Sequence, residues 1–172
     1  MAVLTRKVEI AKWDDRFGLA EYEAPADAVT KDLRTKGNAL SFWRCETSNE
    51  DELRQVVLAM AAGAERIDPM GIIWIDEARF SAEHLNFTYT VGQTPVAVLR
   101  NRHVDVTLLD ANRLAKVAYL IAEAIALKQY WYWTQPEIVK IVVEAVKQGL
   151  VLQKDLNRPV RQAVIEALKG DK

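Results

Sequence analysis

Residues 39–45, Ala-Leu-Ser-Phe-Trp-Arg-Cys, are apolar on both alternating faces, with Leu40 and Phe42 on one side and Trp43 and Cys45 on the other. A strand patterned this way is covered on both sides. Gly-Ile-Ile-Trp-Ile-Asp at 71–76 repeats the pattern. Between them the period changes to that of a helix: Leu53, Val56, Val57, Met60, Ala64 and Ile67 fall on one stripe. Ser48, three residues before Asp51, predicts a capping box, and Asp68-Pro69 a stop. Strand, helix and strand over 39–76 predict a βαβ unit with parallel strands and a right-handed crossover.

The flanking pattern is weaker. Residues 3–12 alternate around Val8 and Ile10 and predict a strand, and 16–23 (Phe17, Leu19) predict its hairpin partner after Asp14-Asp15. Pro25 suits the first turn of a short helix with Ala26, Val29 and Leu33 on one face and Gly37 as its stop. Leu85, Phe87, Tyr89 and Val91 alternate with Asn86, Thr88 and Thr90, and two further apolar runs flank Asn101-Arg102 as a two-residue hairpin connection. Residues 85–108 thus read as an antiparallel meander with one wet face.

After Asp110, an N-cap, helical periods run to the C-terminus. Residues 111–133 predict one long helix with a broad apolar face: Leu114, Val117, Ala118, Leu120, Ile121, Ala124, Ile125, Leu127, Trp131 and Tyr132. Its opposite face carries Ala115, Ala122 and Ala126 flanked by Tyr119 and Tyr130, where a surface helix would be charged. Thr134 and Glu137 predict a capping box for the next helix, with Trp133 and Ile138 as its hydrophobic staple. That helix turns Ile138, Ile141, Val142 and Ala145 inward, and the last one Val160, Val164, Ile165 and Leu168. The stretch between Gly149 and Pro159 is too long for a helix-turn-helix connection. The expected fold is α+β with an α/β-like βαβ core: a mixed sheet of about five to seven strands with an antiparallel meander, then three C-terminal helices. It forms a single domain over 1–172, with a sheet-forming part at 1–110 and a helical part at 111–172 packed on it.

Composition narrows the partners. Half of the 172 residues are hydrophobic, enough for a sizeable core, and the net charge is −1. Residues 1–127 carry −4 and residues 128–172 carry +3, too small an asymmetry for a nucleic-acid stripe. A lone cysteine, Cys45, fits a reducing compartment. The start of the chain has no signal-peptide pattern, and no apolar run approaches the roughly 20 residues of a membrane span. The expectation is a soluble, cytoplasmic protein without a membrane partner.

Phosphate-loop, dinucleotide, zinc-protease, C-x-x-C and nucleophile-elbow motifs are absent. One constellation points to chemistry. The two double-sided strands end in Glu46 and in Asp76-Glu77; side by side they would bring three carboxylates to one sheet edge, with His84 following and His103 and Asp105 opening a nearby strand. Oxygen-rich clusters suit magnesium or manganese, which could activate water. Acids at strand ends are also ordinary solvated termini, and both histidines fit surface or hairpin positions. Cys45 would be a nucleophile only beside a histidine; inside an apolar strand it reads as an inert thiol. The expectation is a non-enzymatic protein-interaction domain without a cofactor, self-associating through the 111–133 helix at Ala115, Tyr119, Ala122, Ala126 and Tyr130, with a second copy or another protein as partner. The alternative is a small metal-dependent hydrolase using Glu46, Asp76, Glu77 and His84, with the first three as metal ligands. A weaker alternative is nucleic-acid binding through the C-terminal helices.

Overall fold

The first strand of the chain lies in the interior of the sheet. In the computed structural model, which describes residues 1–13 and 24–170, β1 (Val3–Val8) is followed by α1 (Ile10–Trp13), α2 (Ala26–Asp32), β2 (Leu40–Cys45) and α3 (Glu50–Gly63). Then come β3 (Met70–Asp76), α4 (Glu77–Ala82), β4 (Phe87–Tyr89), a 3-10 helix (Ala97–Arg102) and β5 (His103–Val106). The chain closes with α5 (Ala111–Ala126), β6 (Tyr130–Trp133), α6 (Gln135–Lys147) and α7 (Arg158–Gly170). The six strands run in the order β4-β5-β2-β1-β3-β6.

Every neighbouring pair is antiparallel. The fold is α+β, as the pattern predicts, but the sheet is not mixed and β2 and β3 do not pair. Both run antiparallel to β1, with Val3 opposite Cys45 on one side and Asp76 on the other, so they point the same way with β1 between them. The crossover through α3 spans that gap. The Thr5 hydroxyl, fully buried, donates to the Trp43 carbonyl at 2.9 Å, satisfying a polar group where β1 meets β2.

Alternation along the strands divides the core in two. Trp43, Cys45, Met70 and Ile72 pack against α3, α6 and α7, whereas Leu40, Phe42, Ile73 and Ile75 pack against α5 together with Phe80 and Trp13. The resulting sandwich is helix, sheet, helix. Gly71 lets α1 close onto the sheet, because a Cβ there would lie 2.5 Å from Ile10 Cγ1 and 2.9 Å from the Val8 carbonyl oxygen.

Several boundaries differ from the sequence expectation. The second apolar run of the meander winds into the 3-10 helix, so β4 pairs with β5 across a longer connection. The N-cap of α3 is Asn49, which accepts from the Glu52 amide, instead of Ser48. The expected partner at 16–23 lies outside the described residues.

The largest correction is the long helix. It stops at Ala126, and Tyr130–Trp133 forms β6, paired to β3. The stop is a Schellman motif: Gln129 donates to the Ala124 carbonyl at 2.7 Å and Lys128 to that of Ile125 at 3.0 Å, with Lys128 left-handed at φ 58°. Trp131, Tyr132 and Leu127, expected on the core stripe, are 44%, 54% and 56% exposed. Trp133 and Ile138 are buried in the same core layer, and Glu137 accepts from the Thr134 amide at 2.7 Å to cap α6.

Ala122, on the face expected to meet a partner, is instead buried in the core, as is Phe42. Ala122→Glu should lower the melting temperature severely, since a carboxylate would be forced into that core without a partner. Phe42→Ala should cost about 3–5 kcal/mol in denaturant unfolding. Shifts of a degree or two in thermal melts of either variant would contradict this core.

Candidate functional site

Because β2 and β3 run the same way, their carboxyl ends do meet one edge, on either side of the start of β1. The Glu77 amide there donates to the Ala2 carbonyl at 3.1 Å. Arg44, one residue before the end of β2, occupies the middle. Its Nε donates to Glu77 at 2.8 Å and another guanidinium nitrogen to Glu46, which raises the Arg44 pKa chiefly through these two bonds, the Glu77 bond first. The neighbouring Glu52 carboxylate accepts from Arg102 at 2.8 Å. Asp76 precedes α4 at the strand end, half-buried. His84 is exposed beyond α4, where its left-handed backbone (φ 55°) closes another Schellman motif through Leu85 to the Phe80 carbonyl. β2 and β3 are not side by side, as sequence reasoning required for its cluster, and Glu46 and Glu77 share Arg44, a cation that reasoning missed. Its signal was present: Arg44 shares the alternating face of Leu40 and Phe42. Among the described residues, no group of three His, Cys, Asp or Glu side chains is arranged to hold a metal ion.

A second polar group spans β2, β5 and the segment after β4. Asp105 accepts from Ser41 at 2.8 Å and from Thr90 at 2.9 Å. Because the Thr90 hydroxyl gives its hydrogen to Asp105, its lone pair faces His103 Nδ1, 2.7 Å away. That places the imidazole hydrogen on Nδ1. Burial lowers the His103 pKa, opposed by Asp105, and the ring stands edge-on to Trp43. The Cys45 thiol is pushed up to about 12 chiefly by burial, which makes it a poor nucleophile.

A cleft of about 830 Å³ lies where β1 ends and β3 begins, with Ser41 and Trp43 in its wall. Several of its charged groups are bonded within the chain. Arg6 donates to the Asp32 and Ser41 carbonyls, and burial lowers its pKa to about 10. The Asp32 carboxylate accepts from the Glu9 amide at 2.9 Å and from Trp13 Nε1 at 2.8 Å, fastening α1 to α2. Lys31 pairs with Glu9, and Arg66 with Asp68.

The third candidate is the outer edge of β6. Trp74 donates to the Gln129 carbonyl at 3.1 Å, so Gln129 faces β3. With the two-residue period of a strand, Trp131 and Trp133 also direct their backbone groups at β3. The N–H and C=O of Tyr130 and Tyr132 therefore point away from the sheet. No described strand lies beyond them. The strand, four residues long, carries no charge and no proline, two of the usual protections of a sheet edge. The Trp131 ring lies 6.0 Å from that of Trp133, and Lys128 stands 6.0 Å over Tyr130.

The five residues expected to form one helical contact face are split among these surroundings. Ala122 is in the core and Tyr130, half-buried, is on β6. Ala115 and Tyr119 line a groove with Val29 of α2, and Ala126 is exposed at the end of α5.

No protein-family model, no curated protein and no solved structure matches this chain. Among the described residues, no helix is long and apolar enough to cross a membrane.

Arg44 between Glu46 and Glu77 opposes a divalent cation at the acidic edge. Calorimetric titration with millimolar magnesium or manganese should give no saturable heat. A saturable heat that Asp76→Asn abolishes would identify a metal site there.

Proposed function

We propose that this protein is a protein-interaction domain whose working surface is the outer edge of β6, and that it binds by accepting an extended segment as a further strand. The observation that carries the reading is the combination at Tyr130–Trp133: backbone donors and acceptors directed out of the sheet on a strand whose Trp131 and Tyr132 are about half exposed. An extended segment added there would be held by main-chain hydrogen bonds, and alternate side chains would meet the aromatic rings. Tyr and Trp suit such a contact because they bring large area and few rotatable bonds. The interaction role read from the sequence is kept, with its place moved from a helix face to a sheet edge.

A peptide spanning residues 128–135, blocked at both ends, should bind the protein saturably and change its tryptophan fluorescence. Tyr132→Pro removes an N–H that points outward and leaves the β3 ladder intact, so the variant should stay folded and lose the peptide. Trp131→Pro removes an N–H from the β3 ladder and should lower stability instead. Absence of saturable binding to the wild-type chain, or full binding by Tyr132→Pro, would defeat the proposal.

A further inference from the structure

We infer that the strand added at this edge is β6 of a second copy, in an antiparallel two-fold register that pairs Tyr130 with Tyr132 of the other copy. The inference rests on the strand-addition reading and names its partner. In an antiparallel ladder, two residues whose backbone groups face each other exchange both N–H···O bonds. Tyr130 and Tyr132 are the outward-facing pair on each copy and lie two residues apart. Setting 130 against 132 and 132 against 130 therefore satisfies every outward group of the strand at once. An axis of this kind is self-complementary and closes the assembly as a dimer.

Side chains fit the same register. Trp131 falls on the axis opposite itself, in a non-hydrogen-bonded pair, where side chains approach most closely. A charged residue there would meet its own like charge; the whole strand is uncharged. The register also sets Lys128 opposite Thr134 of the second copy. The Thr134 amide and hydroxyl are held by the Glu137 carboxylate at 2.7 and 2.6 Å, so each end of the paired strands brings a cation toward an anion. Lys128 is exposed, and its left-handed backbone turns the chain from α5 into β6. Leu127, 56% exposed, stands beside it and adds apolar surface at that end. The opposite sheet edge, β4, has only three residues, Phe87–Tyr89. Joining it to β6 would be head-to-tail and would leave the assembly open.

Light scattering on the wild-type chain should give twice the 19.5 kDa chain mass at high concentration and the single mass on dilution. Tyr132→Pro should give the single mass throughout, with its thermal melt confirming the fold. The register is read by cysteine cross-linking. Trp131→Cys places two thiols across the axis within disulfide reach, about 4.4–6.8 Å between Cα atoms. Mild oxidation should convert it to a covalent dimer, whereas Tyr132→Cys and Ala126→Cys should not cross-link; native Cys45 is buried and silent. A dimer in which Trp131→Cys fails to cross-link, or in which Ala126→Cys cross-links instead, would overturn the register. A wild-type chain that stays monomeric while still binding the 128–135 peptide would overturn the second copy as partner and leave strand addition standing. A monomer that binds no peptide would remove both.

Discussion

The pairing of β1 with β2 on one side and β3 on the other is the constraint on which the rest of the structure depends. It joins β4-β5-β2 to β3-β6, fixes β2 and β3 in one direction, and brings their carboxyl ends to a shared edge. Its seam is buried: Val3, Leu4 and Thr5 are almost inaccessible, and the Thr5 hydroxyl gives its hydrogen to the Trp43 carbonyl instead of to water. An unpartnered hydroxyl at that depth would cost about 1–3 kcal/mol. Because β1 supplies both ladders, the sheet ends at β6 only after β3 has used its own second edge on Tyr130–Trp133.

Local patterns were legible where local physics decides them. Asp110, Thr134 and Glu137 mark real helix starts, and Gly149, left-handed at φ 73°, ends α6 where a glycine should. The double-sided character read at 39–45 and 71–76 is also present, since their alternate residues enter opposite core layers. What escaped was non-local. Nothing between Leu40 and Asp76 announces that a strand from the N-terminus will sit between them. The end of α5 escaped for a different reason: its left-handed stop is Lys128, not glycine. Without that punctuation, Trp131 and Tyr132 continue a helical stripe as well as they alternate along a strand. Such a lysine costs roughly 1–2 kcal/mol of backbone strain, repaid here by the Schellman hydrogen bonds and by the β3 ladder.

The same physics explains the candidate site. Carboxylates at one edge follow from strand direction; their pairing with Arg44 required the side-chain geometry. His84 carries a backbone duty at the end of α4, and Cys45 is a packed thiol. The four consecutive aromatics divide by position. Trp133 is a core residue. Tyr130 leans on the α5 side of the sheet. Trp131 and Tyr132 remain about half exposed, one on each face of an edge strand.

Amide hydrogen exchange resolved at residues 130–133 tests this most directly, with the protein concentration varied across two or more decades. The amides of Trp131 and Trp133, directed at β3, should exchange slowly at every concentration. Those of Tyr130 and Tyr132 should exchange fast in dilute solution and slow progressively as the concentration rises. Tyr130 and Tyr132 amides whose rates do not change with concentration, whether fast or slow, would contradict a second copy as the strand that this edge accepts.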